Sequence, residues 1–373
     1  MNPDLALVLL GGLTPRQFMR QHWQHKPLLV RQAWPGVQPP LSRAALFRLV
    51  GLEGVESRLV ERCSDGWRLR QGPLQRRALP ALASREWTLL VQGLDLHVDA
   101  ARRMLAPFRF VPEARLDDLM LSYASDGGGV GPHLDAYDVF LLQVHGQRRW
   151  RIGPVADRSL VPALPLRVLA RFKPAQEWLL GPGDMLYLPP GWGHDGVAEG
   201  ECMTCSIGFR APHREELVRD LLARMADADE LGSGPIYRDR QQAATTTPGL
   251  IPCSLRHFAL AGVRRRVADE QALDQALGEC LTEPKSRVWF EAGTRCRALR
   301  HGARLDRRTR MLYDDIHIFI NGESFLASGR DAALMRELAD HRCLDAGELG
   351  QLSKPARQLL EDWCQAGWLH DLE

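Results

Sequence analysis

The sequence of 373 residues contains no apolar run of the about 20 residues that a helix needs to cross a bilayer. Its apolar stretch from Leu5 to Leu10 is too short for a signal peptide, and no basic residues precede it. We therefore expect a soluble protein that has no membrane partner and remains in the cytoplasm.

Net charge is also nearly absent. The chain carries 48 Lys and Arg against 46 Asp and Glu, a formal charge of +2, which argues against charge-driven binding to nucleic acid or membranes. The eight cysteines show no disulfide-framework spacing, so we interpret them as reduced thiols. Cys202 and Cys205 lie an odd number of residues apart in a predicted strand, which makes them poor partners for a shared zinc ion.

The glycine-rich segment 126–131 lacks the Lys-Ser/Thr ending of a phosphate-binding loop, and it precedes a predicted strand instead of a helix. That strand, Gly131 to Leu141, continues with β-branched and aromatic residues. It places His133 and Asp135 two residues apart and therefore on one face. An imidazole and a carboxylate so arranged are two of the three ligands of a 2-His-1-carboxylate Fe(II) site. His194, which follows a turn, a short apolar strand and a Pro/Gly loop, is the predicted third ligand.

A site of this type leaves positions for 2-oxoglutarate and O₂, and the far carboxylate of 2-oxoglutarate needs a buried cation. Arg148 and Arg149 follow the metal strand after a glycine turn, and a guanidinium can hold a carboxylate bidentately. The two face opposite ways, and their spacing does not say which one points inward. Ser122 either adds a hydroxyl or is an ordinary strand serine. Leu141, at an even spacing from His133, should line the same pocket.

An anionic or aromatic group would be needed to bind a cationic substrate. Asp126 could pair with a guanidinium, or it could simply cap its own loop. Tyr137, on the face of His133 and Asp135, could stack on a cation.

Short strands separated by Gly and Pro, from Asp118 to Phe209, predict a small barrel or jelly roll. Helical spacing begins after Pro212, and its apolar stripes suit either an internal core or a dimer interface. Further along, Asn321-Gly322 predicts a β-hairpin, and two helices follow it as in a winged-helix module. The mixed charge of those helices argues against direct DNA binding and favours a structural or protein-interaction role.

The segments 119–153, 181–194 and 206–212 resemble the JmjC-domain ribosomal oxygenases. The similarity extends to the N-terminal pattern Phe18-x-x-x-His22-Trp23-x-x-Lys26-Pro27. It is strongest over residues 115–212 and weak after 230. The most similar branch is the bacterial one, whose members hydroxylate an arginine of large-subunit ribosomal protein sixteen.

This resemblance implies an α+β protein with three parts: a double-stranded β-helix (JmjC, cupin-like) catalytic domain over 1–212, a helical dimerisation segment over 213–285 and a winged-helix-like domain over 286–373. It implies Fe(II) on His133, Asp135 and His194. It implies 2-oxoglutarate on Ser122 and Arg148, with Leu141 alongside. The implied reaction consumes 2-oxoglutarate and O₂, releases succinate and CO₂, and hydroxylates the β-carbon of arginine in a ribosomal protein.

Three alternatives remain at this level. A related branch of ribosomal oxygenases hydroxylates histidine, and JmjC demethylases act on methyl-lysine. A non-enzymatic cupin or winged-helix binding protein would not need both the ligand triad and an inward arginine. Zinc or manganese cupin enzymes usually carry more histidines at the metal.

Overall fold

The structure is a computed structural model, and it describes residues 2–64, 66–227, 235–240, 242–291 and 299–372. The chain divides into two compact units, Met1–Ala211 and Pro212–Glu373. The expected α+β class is confirmed, because antiparallel sheets and helices occur in both units. The expected division of the second unit at residue 285 stays a prediction.

The first unit consists of a ten-stranded antiparallel sheet with short helices around it. The strands follow the order β1-β9-β7-β10-β5-β4-β2-β3, with β6 attached to β10 and β8 attached to β7. Its helices are α1 Pro15–Gln21, α2 Arg43–Leu49 and α3 Asp99–Met104. Its strands are β1 Leu28–Val30, β2 Ser57–Cys63, β3 Gly66–Gln71, β4 Trp87–Val91, β5 Leu116–Ala124, β6 His133–Leu134, β7 Asp138–Pro154, β8 Gln176–Leu180, β9 Met185–Leu188 and β10 Trp192–Phe209.

Two long strands close the barrel. The first half of β7 pairs with β9 and its second half pairs with β8, while β10 follows β7 along its whole length. Both strands are interrupted at the same level, where the register shifts between Glu199 and Met203. Gly146 lies opposite with φ 61°, and a Cβ there would stand 2.0 Å from the Glu201 carbonyl oxygen. Only glycine therefore allows this close approach of the two chains.

Alternation along β7 separates two layers of apolar side chains. Phe140 and Leu142 belong to the large core that the N-terminal helices cover. Val139 and Leu141 belong to a smaller cluster inside the barrel, together with Trp150. The inner layer thus supplies the walls of a pocket, and the outer layer supplies most of the packing.

The predicted strand from Gly131 to Leu141 is not continuous, so that prediction is wrong in detail. Only His133–Leu134 pairs with β10, and the next strand begins at Asp138. Residues 135–137 form an irregular connection, so the even-spacing argument does not carry from His133 to Leu141. The period-two pattern could not reveal the break, because the connecting residues are compatible with strand geometry.

Helix α1, which contains the first residue of the N-terminal pattern, packs against the outer face of the barrel. Thr14 and Gln17 form a capping box, and Pro15 occupies the first helical turn. Phe18 is fully buried and contacts the rings of Phe140 and Tyr187 at centroid distances of 5.5 and 5.0 Å. This aromatic packing fixes the end of α1 beside the barrel strands.

The second unit contains two three-stranded sheets with the orders β15-β11-β16 and β12-β13-β14. The predicted hairpin at Asn321-Gly322 is confirmed, with φ of 49° and 88° at its two turn residues. A Cβ at Gly278 would stand 2.3 Å from the Phe319 ring, so α6 packs closely on β13. The helices are α4 Arg214–Asp227, α5 Cys253–Val267, α6 Glu270–Thr282, α7 Gly329–His341, α8 Ala346–Gly350 and α9 Lys354–Gln365. The strands are β11 Gly302–Leu305, β12 Met311–Tyr313, β13 His317–Ile320, β14 Glu323–Leu326, β15 Cys343–Asp345 and β16 Leu369–Asp371.

The expectation that all eight cysteines are reduced thiols is wrong for Cys364, which is disulfide-bonded. Cys202 and Cys205 are buried free thiols. Neither belongs to the metal-binding group found among the described residues. Sequence spacing alone does not reveal a disulfide, because the bond requires a Cα separation that only the fold sets. Among the described residues, no helix has the length and hydropathy to span a membrane.

Candidate metal and cosubstrate site

The three predicted metal ligands lie together at one end of the barrel. Strand pairing sets His133 opposite His194, and their ring centroids are 4.2 Å apart. The Nε2 atom of His194 lies 3.6 Å from Oδ2 of Asp135. One ligand atom from each residue falls within 4.8 Å of the other two, and within the described chain only these three residues form such a group.

Backbone carbonyls orient both imidazoles. Nδ1 of His133 lies 3.0 Å from the Gly131 oxygen, and Nδ1 of His194 lies 3.1 Å from the Trp192 oxygen. A carbonyl only accepts, so each Nδ1 carries the proton and each Nε2 keeps its lone pair for a metal. Burial, with the neighbouring His133, lowers the pKa of His194 to about 4, so its ring is neutral at physiological pH.

Two neutral imidazole nitrogens and a carboxylate oxygen are the donor set of non-haem Fe(II) sites. Their orientation by backbone carbonyls and their mutual distances fit such an ion. The residues present therefore fit the metal that the sequence implies.

Arg148 points inward and Arg149 outward, which answers the question that spacing left open. Arg148 is buried, whereas Arg149 forms surface ion pairs with Glu177 and Glu199. The Arg148 guanidinium donates to Ser122 Oγ at 2.8 Å and to the Gly196 carbonyl at 3.3 Å. Burial lowers the pKa of Arg148, and its Nε has no hydrogen-bond partner.

No carboxylate within the described chain forms an ion pair with Arg148. A buried cation without a counter-ion is costly unless an anion binds to it. Ser122 stands beside the guanidinium and can add a hydroxyl to the same anion. The arrangement is that of a binding site for a carboxylate.

Sequence reasoning missed two polar residues that extend this group. Thr204 Oγ1 lies 3.4 Å from the Arg148 guanidinium and donates to Gln143 Oε1 at 2.8 Å. Gln143 in turn donates to the carbonyls of His145 and Gly146. Register could have suggested Thr204, because it pairs with Ser122 across the sheet, but that register is known only from the fold.

Apolar side chains enclose the cation and the metal ligands. The Arg148 guanidinium carbon lies 5.1 Å from the Trp150 ring, which itself lies 5.9 Å from the His194 ring. Leu141 shares the inner cluster with Trp150, Leu186 and others. These groups lower the local dielectric around the site and so strengthen its interactions with charged ligands.

Tyr137 lies beside the metal ligands. Burial of the Tyr137 hydroxyl, and then the Asp135 and Asp118 carboxylates, raise the pKa of Tyr137, although the residue as a whole is 38% exposed. A Cβ at Gly208 would stand 3.8 Å from both the Tyr137 ring and Asp118. Tyr137 therefore has carboxylates on more than one side, and the sequence did not single out Asp118.

The contacts of Asp126 are not with the metal ligands or with Tyr137. Its Oδ2 pairs with Arg85 at 2.7 Å, and its Oδ1 accepts from the Gly200 backbone at 2.9 Å. Gly200 is six residues from His194 along β10, which is about 20 Å in an extended strand. These contacts are those of a loop-capping residue, and a substrate role for Asp126 stays a prediction.

Family models match both units. The JmjC domain model matches residues 103–217, and the ROXA-like winged helix model matches residues 265–370. The chain is 38% identical over 202 residues to the ribosomal protein uL16 3-hydroxylase of Escherichia coli (strain K12), with 54% of each protein aligned. It is 36% identical over 220 residues to a probable ribosomal oxygenase of Haemophilus influenzae, covering 55% of this chain and 52% of that protein. The alignments thus span about half the length of these curated relatives.

Solved structures match over most of the chain. The X-ray structure of E. coli ycfD gives a TM-score of 0.82 at 28% identity and covers 96% of this chain and 98% of that one. A structure of YcfD, a ribosomal oxygenase from E. coli, in complex with cobalt and 2-oxoglutarate gives a TM-score of 0.77 at 27% identity, with the same coverage.

A β-barrel of this topology with two histidines and a carboxylate at one end defines a JmjC-type protein. The chain thus contains a JmjC domain over residues 103–217, and over about half of its length it is similar to the ribosomal oxygenases named above.

Proposed function

We propose that this protein is an Fe(II)- and 2-oxoglutarate-dependent oxygenase that hydroxylates the β-carbon of an arginine in a large-subunit ribosomal protein. The single observation that carries the proposal is Arg148, a buried cation without a carboxylate partner in the described chain, set beside His133, Asp135 and His194. A dicarboxylate that reaches from this cation to a metal would satisfy both groups at once.

His133, Asp135 and His194 would hold the metal. Bound Fe(II) supplies the O₂ activation that couples decarboxylation of 2-oxoglutarate to hydroxylation of the substrate. Arg148 binds the far carboxylate of 2-oxoglutarate, and Ser122 donates a further hydrogen bond to it. Leu141 and Trp150 exclude water from this end of the pocket. Tyr137, which is partly exposed beside Asp135, would contact the side chain of the substrate.

The substrate class follows from the charge near Tyr137. Asp135 and the buried Asp118, which also accepts from the Gly93 backbone N–H at 2.9 Å, lie near the partly exposed Tyr137, and their charge favours a cationic side chain over a neutral one. The uL16 3-hydroxylase relative points to the homologous protein, large-subunit protein sixteen, as the substrate. Asp126 remains a second candidate for a contact with the same peptide.

We further infer a cytoplasmic homodimer that does not bind DNA directly. Helix α5 has no buried residue in the described chain, and it exposes Phe258 at 40% and Val263 at 59%. An apolar helix face of this kind suits contact with a second copy. Light scattering of the wild-type chain and of a Phe258→Asp variant tests this: dimer and monomer, respectively, are expected.

Mass spectrometry tests the activity. A peptide of the ribosomal protein that contains the candidate arginine is incubated with enzyme, Fe(II), 2-oxoglutarate and O₂. We expect one added oxygen on the arginine, stoichiometric succinate, and loss of both products with His133→Ala.

Other outcomes separate the alternatives. Formation of succinate without oxidation of the peptide would support the oxygenase activity but reject this peptide as the substrate. Oxidation of a histidine peptide, or demethylation of a methyl-lysine peptide, under matched conditions would move the protein to a related branch. The absence of both succinate and product would favour a binding protein.

A further inference from the structure

The N-terminal segment that packs on the outside of the barrel reaches the connection that carries Asp135. Its contact is with Asp138, a carboxylate with 0% exposure at the first position of β7. None of the proposed roles above uses this residue. A fully buried carboxylate requires donors, and the structure supplies them from three separate parts of the first unit.

Tyr187 provides the shortest of these contacts. Its hydroxyl donates to Asp138 Oδ1 at 2.6 Å and accepts from the Gln24 backbone N–H at 2.8 Å. Burial first, and the hydrogen bond to Asp138 second, raise the pKa of Tyr187, so the hydroxyl keeps its proton and acts as the donor.

The other oxygen of Asp138 has two donors. Gln24 Nε2 donates to Oδ2 at 3.0 Å, and the Arg115 guanidinium lies 3.4 Å from the same atom. Gln24 adopts a left-handed conformation with φ 58°, just beyond helix α1. Arg115 also lies over the ring of Trp23, 5.5 Å from its centroid. Trp23 belongs to the Phe18–Pro27 pattern, and its packing on Arg115 places the adjacent residue Gln24 beside Asp138.

Asp138 is three residues from Asp135, and residues 135–137 between them have no strand pairing. At the other end of this connection, His133 and Leu134 are held by β10. The carboxylate ligand therefore lies on a short connection that is held by strand pairing at one end and by Asp138 at the other. The Asp135 carbonyl also accepts from the Gly191 backbone N–H at 2.9 Å, which leaves the direction of the side chain to be set by the neighbouring residues. Movement of Asp138 would displace Asp135 through only two intervening residues.

We propose that Tyr187, Gln24 and Arg115 act through Asp138 as positioning residues for the metal ligand Asp135. On this view the N-terminal segment is a working part of the metal site and not only a cover for the core. The inference rests on the proposed metal site, so its test must separate the two.

The chain offers matched control substitutions. Tyr123 is also a fully buried tyrosine whose hydroxyl donates to a carboxylate, Glu201, at 2.9 Å, but it makes no contact with the 135–138 connection. Gln32 is also an N-terminal glutamine with positive φ, 49°, and its side chain donates to the Pro182 carbonyl at 3.0 Å. Tyr187→Phe is therefore compared with Tyr123→Phe, and Gln24→Ala with Gln32→Ala.

The measurement is Co(II) titration of the full-length metal-free protein, followed by visible absorption, with the thermal midpoint recorded for each variant. We expect Tyr187→Phe to weaken Co(II) binding about tenfold and Gln24→Ala about threefold, as when groups that support a metal ligand are removed. We expect both controls to stay within about twofold of wild type, although their thermal midpoints fall by a similar amount.

Wild-type affinity and an unchanged Co(II) spectrum in both Tyr187→Phe and Gln24→Ala would overturn the positioning role and leave the proposed function intact. If Tyr187→Phe does not fold, Gln24→Ala against Gln32→Ala decides alone. Failure of the wild-type chain to bind Co(II), or equal binding by His133→Ala, would instead reject the metal site itself and this inference with it.

Discussion

Two buried charges, one in each unit, differ in whether the protein provides a charged partner. In the second unit, Asp306 is buried beside Arg308, which donates to it at 2.8 Å, and beside His370 at 2.9 Å. In the first unit, Arg148 is buried with only neutral partners in the described chain, the nearest being Ser122. Since an isolated buried charge is unfavourable, a charge that is paired locally is structural, whereas one left unpaired indicates a ligand.

The largest effect should come from removing the unpaired charge. We expect Arg148→Met to raise the dissociation constant for 2-oxoglutarate at least about a hundredfold, because two lost charge-assisted hydrogen bonds cost about 3 kcal/mol or more. Calorimetric titration with Mn(II) in the metal site measures it. Arg149→Met is the control on the same strand, where surface ion pairs contribute less than about 1 kcal/mol. Near-wild-type binding by Arg148→Met would remove the distinction between the two units.

Removing the paired charge should affect stability alone. We expect Asp306→Asn to destabilise the second unit by about 2 kcal/mol, less than for a fully buried pair because His370 is half-exposed. Binding of 2-oxoglutarate should be unchanged, which calorimetry can check. A loss of 2-oxoglutarate binding in Asp306→Asn would show that the site around Arg148 depends on Asp306.

The same carboxylate predicts a pH dependence. Burial by itself would raise the pKa of Asp306, but hydrogen bonds from His370 and Arg308 outweigh it and hold the pKa well below its usual range. A lowered pKa stabilises the fold above the unfolded value of about 3.9, and this stability is lost as the pH falls below it. The protection factors for hydrogen exchange of the amides of β11 and β16 in the full chain should therefore fall below about pH 4 in wild type. A profile for Asp306→Asn as steep as that of wild type would contradict this assignment.

The smallest effect is expected for Asp126, one of the protein's aspartates proposed to contact the substrate. We expect Asp126→Ala to change KM for an arginine peptide by less than about twofold, because Arg85 and the Gly200 backbone already engage both oxygens. Asp118→Asn, beside Tyr137, should raise KM about tenfold while peptide-independent turnover of 2-oxoglutarate persists. Steady-state kinetics with and without peptide give both values. A large increase in KM for Asp126→Ala would restore it as the guanidinium partner.

Some parts of the site were predictable because they depend on local spacing. The pattern His133-x-Asp135 and the segment ending at His194 indicated the ligand set, and the structure brings these three side chains together. The reason given for the first pair was wrong, since the strand is broken at Asp135. The residue types identified the chemistry more reliably than the assumed periodicity identified the geometry.

Other parts depend on partners distant in sequence. Thr204 of β10 reaches Arg148 of β7 because these two strands pair, and Asp138 is held by Gln24 from more than a hundred residues away. No local pattern distinguishes such residues from ordinary strand or turn positions.

The sequence by itself determined the class of the fold through motifs that resemble a known family, the donor types of the metal site through residue type, and the hairpin at Asn321-Gly322 through two adjacent turn residues. Only the tertiary structure decided that Arg148 faces inward, that Asp126 pairs with Arg85 and that the N-terminal segment reaches Asp138. The direction of a side chain and the identity of its distant partners follow from strand register and packing, and those exist only once the chain has folded.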